Sequence, residues 1–492
     1  MWSIARTVSR PRPGGAALFA RIADAIADDI RRGTLRTGDR LPSTRELARQ
    51  LDVNRNTVVA AFDELLAQGW LVARGARGTF VAETGPPALP ARARRRSNPQ
   101  PKASVPGRAA TAFALRPIAP TIPTLGPPTA TYQLSLGIPD TRLLPHAVLA
   151  RAYRRALHAP ARRAILDYGP PHGAPRLRAA IATYLRGRGL SVDADDVMIT
   201  RGSQMALDLA ARLLIRPGDV AAVEELGYQP AWRALEEAGA TLAPVALDHA
   251  GLVVDRLPGI AARCLYTTPH HQYPTTVLMS PARRLALLAH AHRAGLAIIE
   301  DDYDHEFHFD GRPVAPLAAS DHGRSVIYVG TLSKILAPGL RIGFVAAARS
   351  VIEQLARLRG SMDRQGDQVL ETAIAELIED GELRRHARKM RRIYAARRDA
   401  LVTALDRELR GAVSFDLPPG GITLWARVAP DIRLERWGQR ALDRGVAVAF
   451  ASTFAHDRAP RPFVRFGFAH LDEAELADAV KRLRRALDDS RR

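Results

Sequence analysis

A single lysine between two apolar runs constrains the fold of this chain more than any other feature. Lys334 follows the β-rich run 326–329, and a Pro-Gly turn then leads to Arg341 and a second apolar run over 342–347. An ammonium group is costly to bury between strands, and burial lowers the pKa of a lysine because it favours the neutral amine. A neutral amine is a nucleophile that forms a Schiff base with an aldehyde. We therefore predict a buried, reactive lysine at this position.

The side chains around this lysine are suited to binding a phosphate. Thr331 and Ser333 offer hydroxyls, and Arg341 offers a planar guanidinium. A lysine that can react with an aldehyde, next to side chains that can bind a phosphate, is the combination that a site for pyridoxal 5'-phosphate (PLP) requires. Ser-x-Lys alone would favour a surface loop with a solvated lysine, but the Pro-Gly-Leu-Arg-x-Gly tail makes the stretch resemble the cofactor-lysine motif of fold-type I aminotransferases. This resemblance implies that Lys334 carries PLP.

The composition indicates a protein that contacts a polyanion. The 492 residues exceed one typical domain, and 47% apolar residues are enough for real cores. A formal charge of +20 at pH 7 favours nucleic acid as a partner. The single cysteine, Cys264, excludes an internal disulfide framework and fits a reducing cytoplasm. No apolar run reaches the roughly 20 residues that span a membrane, and residues 1–10 lead into no signal-peptide core, so we expect a soluble, cytoplasmic protein.

The N-terminal region has the pattern of a winged helix-turn-helix. Apolar residues recur at every fourth position over 18–32, which predicts a first helix. Ser43 and Glu46 form a capping box that predicts the start of a second helix. A tight turn then leads to a third helix over 55–68, and two short β-runs flank the basic, glycine-rich tip 74–78. The third helix of such a fold places its N-terminal residues at base edges in the major groove of DNA.

Three motifs connect this region to a known family of DNA-binding domains. Leu-Pro-Ser-x-Arg-Glu-Leu-Ala, Val-x-Arg-Asn-Thr-Val and Gly-Thr-Phe-Val make residues 18–81 closely resemble the GntR-type winged helix. A generic helical hairpin with solvated arginines is the alternative. We include Arg49 among the expected DNA contacts because it would approach the DNA backbone from the second helix. We therefore predict contacts to a double-stranded DNA operator from Arg45, Arg49, Arg55, Asn56, Thr57 and Gly78.

We expect three segments in the chain. The winged-helix domain covers 12–82, a Pro- and Arg-rich linker covers 83–130, and a cofactor-binding body covers 131–490. The basic cluster 92–96 in the linker either adds non-specific DNA affinity or is a solvated tether. The arginines between 384 and 392 are either a solvated helix face or a second DNA contact.

The body alternates helices and strands, which predicts an α/β fold with a largely parallel sheet. A glycine turn opens a helix after the apolar run 197–199, and such a helix N-terminus presents free amides to an anion. We assign Gly202, Ser203 and Gln204 to the phosphate of PLP, although without Lys334 an ordinary capped helix would explain them.

A carboxylate must bind the pyridine nitrogen of PLP and keep it protonated. The resemblance to aminotransferases assigns this carboxylate role to Asp301 and assigns to Tyr303 the role of a phenol near the ring hydroxyl. Because Asp302 is the next residue, the carboxylate could be either Asp301 or Asp302. The acidic run 300–302 could also suggest a metal site, but no local cluster completes it. The resemblance further implies a stacking ring at Tyr228.

Two more roles follow from the resemblance. Tyr168 matches a tyrosine that reaches the phosphate of the neighbouring subunit, and Arg465 matches the arginine that clamps a substrate carboxylate. Many aminotransferases have Asn-Pro-Thr-Gly where this chain has Tyr273 to Thr276. We interpret the preceding histidines, 270 and 271, as structural because no carboxylate has suitable local spacing, and we predict no metal site.

The whole pattern resembles the MocR subgroup of GntR transcriptional regulators: an N-terminal winged helix-turn-helix joined to a fold-type I aminotransferase-like domain with a smaller C-terminal α/β subdomain. The resemblance implies a head-to-tail homodimer that senses PLP, or an amino compound as effector, through Lys334. A working PLP-dependent aminotransferase that carries a DNA-binding head is the main alternative, so the sequence leaves enzymatic turnover open. A cofactor-blind repressor with a vestigial body is a third hypothesis.

Overall fold

The computed structural model describes residues 18–83, 130–158, 165–310 and 314–491. These residues belong to two compact units, a head (18–83) and a body (130–491). Most of the expected linker, with its basic cluster, lies outside the described residues. In the described part of the chain, no helix is both long enough and apolar enough to cross a bilayer.

The head is a small helical unit closed by a β-hairpin. Its core contains Ile22, Ile26, Val58, Phe62 and Leu65, all buried at helical spacing. The two strands pair antiparallel, and this hairpin is the expected wing. The elements are α1 (Leu18–Arg31), α2 (Thr44–Leu51), α3 (Arg55–Ala67), β1 (Leu71–Ala73) and β2 (Thr79–Val81).

The body contains fifteen strands and eleven α-helices among the described residues. The strands are β3 (Tyr132–Gln133), β4 (Val197–Thr200), β5 (Val220–Glu224), β6 (Thr241–Val245), β7 (Leu247–Asp248), β8 (Gly251–Leu252), β9 (Ala262–Thr267), β10 (Ala297–Asp302), β11 (Val326–Thr331), β12 (Gly343–Ala346), β13 (Val413–Ser414), β14 (Thr423–Val428), β15 (Val446–Ala447), β16 (Ala449–Phe450) and β17 (Phe463–Gly467). The helices are α4 (His146–His158), α5 (Pro175–Arg186), α6 (Gly202–Leu214), α7 (Gln229–Glu237), α8 (Pro281–Ala294), α9 (Leu317–Asp321), α10 (Arg349–Met362), α11 (Gln368–Glu379), α12 (Glu382–Glu408), α13 (Leu434–Asp443) and α14 (Glu473–Arg491).

The large sheet of the body has seven strands in the order β4-β12-β11-β10-β9-β5-β6. Its strands run parallel except β12, which pairs antiparallel with both β11 and β4. The central strands are apolar on both faces because helices cover the sheet on each side. This confirms the predicted α/β class with a mostly parallel sheet.

A second, four-stranded antiparallel sheet, β13-β14-β17-β16, forms the core of the smaller C-terminal subdomain. The long helix α12 and the last helix α14 pack their apolar residues into this core. The opposite face of α12 is polar, and its arginines are exposed: Arg384, Arg385, Arg388, Arg391 and Arg392.

Candidate functional site

A cavity of about 210 Å³ lies where the parallel strands of the large sheet end. Ligands of open α/β sheets bind outside the carboxyl ends of the strands, because the loops that follow each strand converge there. Loops that follow β4, β5, β9, β10 and β11 each contribute side chains here. The lining residues are Gly137, Ile138, Ser203, Tyr228, Tyr266, Thr268, Tyr273, Asp301, Tyr303, Thr331, Ser333, Lys334, Pro338, Arg341 and Arg465.

Lys334 lies on this cavity, in the turn that follows β11. Its ammonium nitrogen donates a hydrogen bond to the carbonyl oxygen of Gly137 at 2.7 Å. Burial and the nearby Arg465 lower the pKa of Lys334 to about 8, against the opposing effect of Asp304 and Asp301. About a tenth of the amine is therefore neutral at pH 7, and the neutral form is the one that attacks an aldehyde.

Two neighbouring carboxylates at the end of β10 face opposite sides of the sheet. Asp301 lines the cavity, where its Oδ2 accepts a hydrogen bond from the Tyr266 hydroxyl at 2.9 Å. Asp302 instead accepts from the Tyr328 hydroxyl at 2.7 Å, on the other face. Alternation along the strand separates them. Of the two candidates for the pyridine nitrogen, Asp301 is the one at the cavity.

The second carboxylate oxygen of Asp301 is buried and has no hydrogen-bond partner. Burial raises the pKa of Asp301 to about 7, although the hydrogen bond from Tyr266 opposes the shift. Such an orphaned acceptor is costly unless a ligand satisfies it. A protonated pyridine nitrogen would supply both the missing donor and a compensating positive charge.

The expected phosphate end is built where α6 begins. Gly202 has φ of 75°, and no side chain caps the helix, so its first amides remain free. A Cβ at Gly202 would lie 3.0 Å from the guanidinium of Arg341, so glycine permits this close approach. Arg341 and Ser203 line the cavity, and Arg341 also donates to the carbonyl oxygen of Arg201 at 2.9 Å. The side chain of Gln204 points elsewhere and donates to the carbonyl oxygen of Pro230 at 3.1 Å.

The hydroxyl-bearing turn before the lysine completes this end of the cavity. Thr331 and Ser333 both line it. The hydroxyl of Thr331 donates to the carbonyl oxygen of Ile342 at 3.3 Å and accepts from the amide of Ser333 at 3.1 Å. This internal hydrogen bonding fixes the turn, while the Ser333 hydroxyl stays available to an anion.

Four tyrosines form the aromatic wall of the cavity: Tyr228, Tyr266, Tyr273 and Tyr303. Tyr228 and Tyr273 meet edge to face with ring centroids 5.6 Å apart. Tyr303 donates its hydroxyl hydrogen to the carbonyl oxygen of His271 at 3.0 Å. Thr276 adopts φ of 64°, a region that glycine prefers, at the point where many aminotransferases have glycine.

Arg465 closes the end of the cavity beside Lys334 and is only 2% exposed. Its guanidinium carbon lies 4.6 Å from the ring centroid of Tyr273, and one nitrogen donates to the carbonyl oxygen of Ser135 at 3.4 Å. No carboxylate in the described part of the chain forms an ion pair with it, and its Nε has no hydrogen-bond partner. A buried, uncompensated guanidinium is costly, which favours an anionic ligand here.

Three expected cofactor residues do not line the cavity of their own chain: Gly202, Gln204 and Tyr168. Tyr168 is 74% exposed, and the guanidinium carbon of Arg364 lies 4.1 Å from its ring centroid. Conversely, sequence reasoning did not identify Tyr266 or Thr268 as cavity residues. Tyr266 is opposite Ile299 in the β9–β10 register, and that register could not be deduced from strand composition.

The head presents the other expected site. Asn54 caps α3 by accepting a hydrogen bond from the Asn56 amide at 2.9 Å, so the helix begins at Arg55 as expected. Ser43 caps α2 by accepting from the Glu46 amide at 3.2 Å. Among the described residues, none of the arginines at the two helix starts pairs with a carboxylate. The exposed candidates for DNA are Arg45, Arg49, Arg55 and Asn56, with Thr57 and Gly78 partly exposed.

The cavity fits PLP on the chemistry of its own residues. It offers a nucleophilic amine at Lys334, an orphaned carboxylate oxygen at Asp301, and free amides beside a guanidinium at the start of α6. When bound, PLP supplies an electron sink that stabilises negative charge on a carbon next to an amine nitrogen. The protein supplies binding, orientation and the surrounding charges.

Comparisons with known proteins agree with this geometry. Residues 131–483 match the aminotransferase class I and II family, and residues 18–81 match the gntR family of bacterial regulatory proteins. The chain is 33% identical over 479 residues to the probable rhizopine catabolism regulatory protein MocR of Rhizobium meliloti, covering 96% of this chain and 94% of that protein. It is 30% identical over 475 residues to the HTH-type pyridoxine biosynthesis transcriptional regulator PdxR of Corynebacterium glutamicum, covering 94% and 95%.

A solved structure extends the comparison to the fold of the body. LysN, the α-aminoadipate aminotransferase of Thermus thermophilus, complexed with N-(5'-phosphopyridoxyl)-L-leucine, matches with a TM-score of 0.67 and 30% identity, covering 73% of this chain and 92% of that chain. The chain belongs to the MocR subgroup of GntR-type transcriptional regulators, in which a winged helix is joined to an aminotransferase class I and II domain that uses PLP.

Proposed function

We propose that this protein regulates transcription by binding an operator through its head and by sensing PLP, or an amino compound that reacts with it, through Lys334. The observation that carries the proposal is the pairing, in one chain, of an exposed basic helix start at Arg55 with a cavity that holds both Lys334 and Arg465. The names of two relatives refer to pyridoxine biosynthesis and to rhizopine catabolism.

In the proposed sensor, each cavity residue has one task. Lys334 bonds to the cofactor, because its lowered pKa keeps part of the amine neutral and able to attack the aldehyde, and it is released as the free amine when an incoming amine takes its place. Arg465 binds the carboxylate of an amino-acid effector with its planar guanidinium. Tyr228 stacks on the ring, and Tyr303 lies near its hydroxyl. The tyrosine wall excludes water, which strengthens these electrostatic contacts.

In the proposed response, effector binding to the body changes the spacing of operator half-sites that a pair of heads can bind. The effector must bind two states of the protein with different affinities, because a ligand with equal affinity for both shifts neither population. Double-stranded DNA is the partner of the head, and we place the protein in the cytoplasm with that DNA.

We propose a head-to-tail homodimer as the working unit. Tyr168 and Leu166 are 74% and 67% exposed, and large exposed apolar or aromatic side chains that lie close together in sequence are typical of an interface. The resemblance to fold-type I enzymes assigns Tyr168 to the phosphate of the partner subunit. Each cofactor site would then be complete only in the dimer.

The deciding experiment compares Lys334→Ala with Lys389→Ala, an exposed lysine on α12. After PLP addition and borohydride reduction, peptide mass spectrometry should find the cofactor on Lys334 of the wild-type protein and of the control variant. Lys334→Ala should keep its basal DNA affinity within about twofold but lose the response of DNA binding to PLP and amines. The reason is that Lys334 lies in the body, whereas the DNA contacts lie in the head. An unchanged effector response in Lys334→Ala would reject the proposal.

The geometry also favours a second candidate, a working aminotransferase with a DNA-binding head. Lys334, Asp301 and Arg465 line one cavity, and the same set serves transamination in the resembling enzymes. Steady-state assays with amino acid and 2-oxoacid pairs distinguish the two. Many turnovers per subunit would establish the enzyme, whereas at most one turnover alongside an effect on DNA binding would favour the sensor.

A further inference from the structure

Four histidines of the body lie close together beside the cofactor cavity. Two follow β9 and two follow β10, and each is at least nine-tenths buried: His270, His271, His305 and His308. The ring of His270 is central, with its centroid 4.5 Å from that of His271, 4.6 Å from that of His305 and 6.2 Å from that of His308. Such a buried cluster is unusual, because imidazoles need hydrogen-bond partners or a ligand when water is excluded.

Several nitrogens of this cluster have no hydrogen-bond partner among the described residues. Both ring nitrogens of His270, Nε2 of His271 and Nδ1 of His308 are buried and unsatisfied. Buried polar atoms in native proteins are nearly always paired, so several orphans at one point indicate a missing ligand.

Two ligand sets share His270. One consists of three imidazoles, His270, His271 and His308, and the other combines His270 with Asp302 and His305. In each set the candidate ligand atoms lie within 4.8 Å of one another. Asp302 already accepts from the Tyr328 hydroxyl at 2.7 Å and lies 3.0 Å from Nδ1 of His305. Nδ1 of His305 and Oδ1 of Asp302 also lack a hydrogen-bond partner, so the choice of the first set rests on the engagement of Oδ2 of Asp302 by Tyr328 and His305.

The carboxylate next to His271 favours the same set. Nδ1 of His271 lies 2.7 Å from Oδ1 of Asp304, which fixes the proton on Nδ1 and directs the lone pair of Nε2 into the cluster. Histidines that bind metals typically hold their second nitrogen against a carboxylate in this way. Gly420 leaves room beside the ring, since a Cβ there would lie 2.7 Å from Nε2 of His271.

We propose that His270, His271 and His308 bind one divalent transition-metal ion, with Zn²⁺ as the best match to three imidazoles. The three rings would draw together on binding, since zinc–nitrogen distances are about 2.0–2.1 Å. The ion would brace the loop after β9. The carbonyl oxygen of His271 accepts from the Tyr303 hydroxyl at 3.0 Å, so the metal would steady one wall of the cofactor cavity. The chain would then need a metal as well as PLP, which the local spacing of the histidines in sequence did not predict.

The test uses the full-length, PLP-loaded protein without a histidine tag, stripped by a chelator and titrated with Co²⁺ and Zn²⁺. Visible absorption bands of Co²⁺ report its coordination, and elemental analysis reports the zinc content. We expect one ion per chain. His308→Asn should weaken binding at least about 100-fold, because it removes one ligand of the proposed set, and Asp304→Asn should weaken it about 10- to 100-fold.

His305→Asn is the matched control, since it changes a buried histidine of the cluster outside the proposed set. It should weaken binding at least about tenfold less than His308→Asn does, because it removes no ligand of the proposed set. Zinc X-ray absorption of the wild-type protein gives a measurement that does not depend on any variant: three imidazole nitrogens support the proposal, whereas two imidazoles with a carboxylate oxygen overturn it. The proposal is also overturned if the wild-type protein binds no stoichiometric metal. It is overturned as well if a well-folded His308→Asn protein keeps its metal affinity or if His305→Asn loses it.

Discussion

The head and the body of this protein use arginine in opposite ways. In the head, Arg45 and Arg55 stand exposed at the starts of two helices and Arg49 in the last turn of α2, and none of them pairs with a carboxylate in the described chain. In the body, Arg465 is buried against Tyr273 and also lacks a carboxylate. The first arrangement suits a polyanion outside the molecule, and the second suits one small anion inside it.

The contrast shows that an unpaired guanidinium is informative only together with its burial. Exposed arginines cost little when unpaired, because water solvates them, and they gain affinity for DNA through release of counterions. A buried guanidinium without a counter-ion is destabilising until a ligand supplies one. DNA binding by the head should therefore fall steeply with salt, whereas effector binding at Arg465 should depend on salt much less.

The largest effect should come from Arg465→Ala, measured with an amino acid and with a matched amine that lacks the carboxylate. Removing one partner of a buried charge pair costs about 2–5 kcal/mol, so the amino acid should bind at least about 30-fold more weakly. Affinity for the amine should change little, because it has no carboxylate to lose. Spectral titration of the PLP-loaded protein measures both affinities.

Arg427→Ala is the control for this change, since Arg427 lies on β14 next to β17 but is exposed. It should leave both affinities unchanged. An equal loss for the amino acid and the amine in Arg465→Ala would contradict the assigned role and would indicate general damage to the cavity.

The next effect concerns Asp301 in cofactor-free protein. Burial raises its pKa from 3.8 to about 7, so the folded chain holds this proton more tightly than the unfolded chain. The resulting stabilisation is complete below about pH 4 and is lost as the pH rises through 7, a loss on the order of 4 kcal/mol. Urea unfolding at pH 5 and pH 8 should show a smaller pH dependence in Asp301→Asn than in the wild type.

Bound PLP should lower the pKa of Asp301 again, because a protonated ring nitrogen favours the charged carboxylate. Adding PLP to the wild-type protein should therefore remove the loss of stability between pH 5 and pH 8, and Asp301→Asn should not respond in this way. The same pH profile in both proteins without cofactor would show that other groups dominate.

The two carboxylates of β10 also show how far the sequence could lead. An apolar run that ends in acidic residues predicted a strand with a carboxylate at its carboxyl end, and the family motif narrowed the choice to Asp301 or Asp302. Alternation along β10 separates the two side chains onto opposite faces, but only the strand register shows which face holds the cavity. Tyr266 reaches the site from the neighbouring strand β9. The parallel pairing of β9 and β10 likewise brings the histidines after each strand together across more than thirty residues of sequence. Local periodicity contains no information on such pairings, so the cluster was not predicted.

The head offers a smaller, salt-dependent effect. Arg55→Ala should weaken specific DNA binding by about 1–3 kcal/mol if Arg55 contacts a base, and should reduce the slope of log affinity against log salt by about 1 if it contacts a phosphate. Arg31→Ala is the control, since Arg31 pairs with Asp28 at 2.6 Å on α1. Fluorescence anisotropy with an operator and a scrambled duplex, at several salt concentrations, separates the two cases. Equal losses in both variants would contradict a specific contact from Arg55.

The smallest effect tests whether the helix cap that positions Arg55 matters for DNA binding as well as for folding. Asn54 accepts a hydrogen bond from the Asn56 amide, so Asn54→Ala should destabilise the head by about 1 kcal/mol, whereas Asn54→Gly should cost only a few tenths. Thermal unfolding of the full-length protein measures this difference. If the cap also orients the first turn of α3, DNA affinity should decrease in the same order, Ala more than Gly, at constant effector response. A loss of stability without any loss of DNA affinity would show that contact with DNA can itself order this turn, and the exposed arginines would then act as point charges rather than as a preformed reading surface.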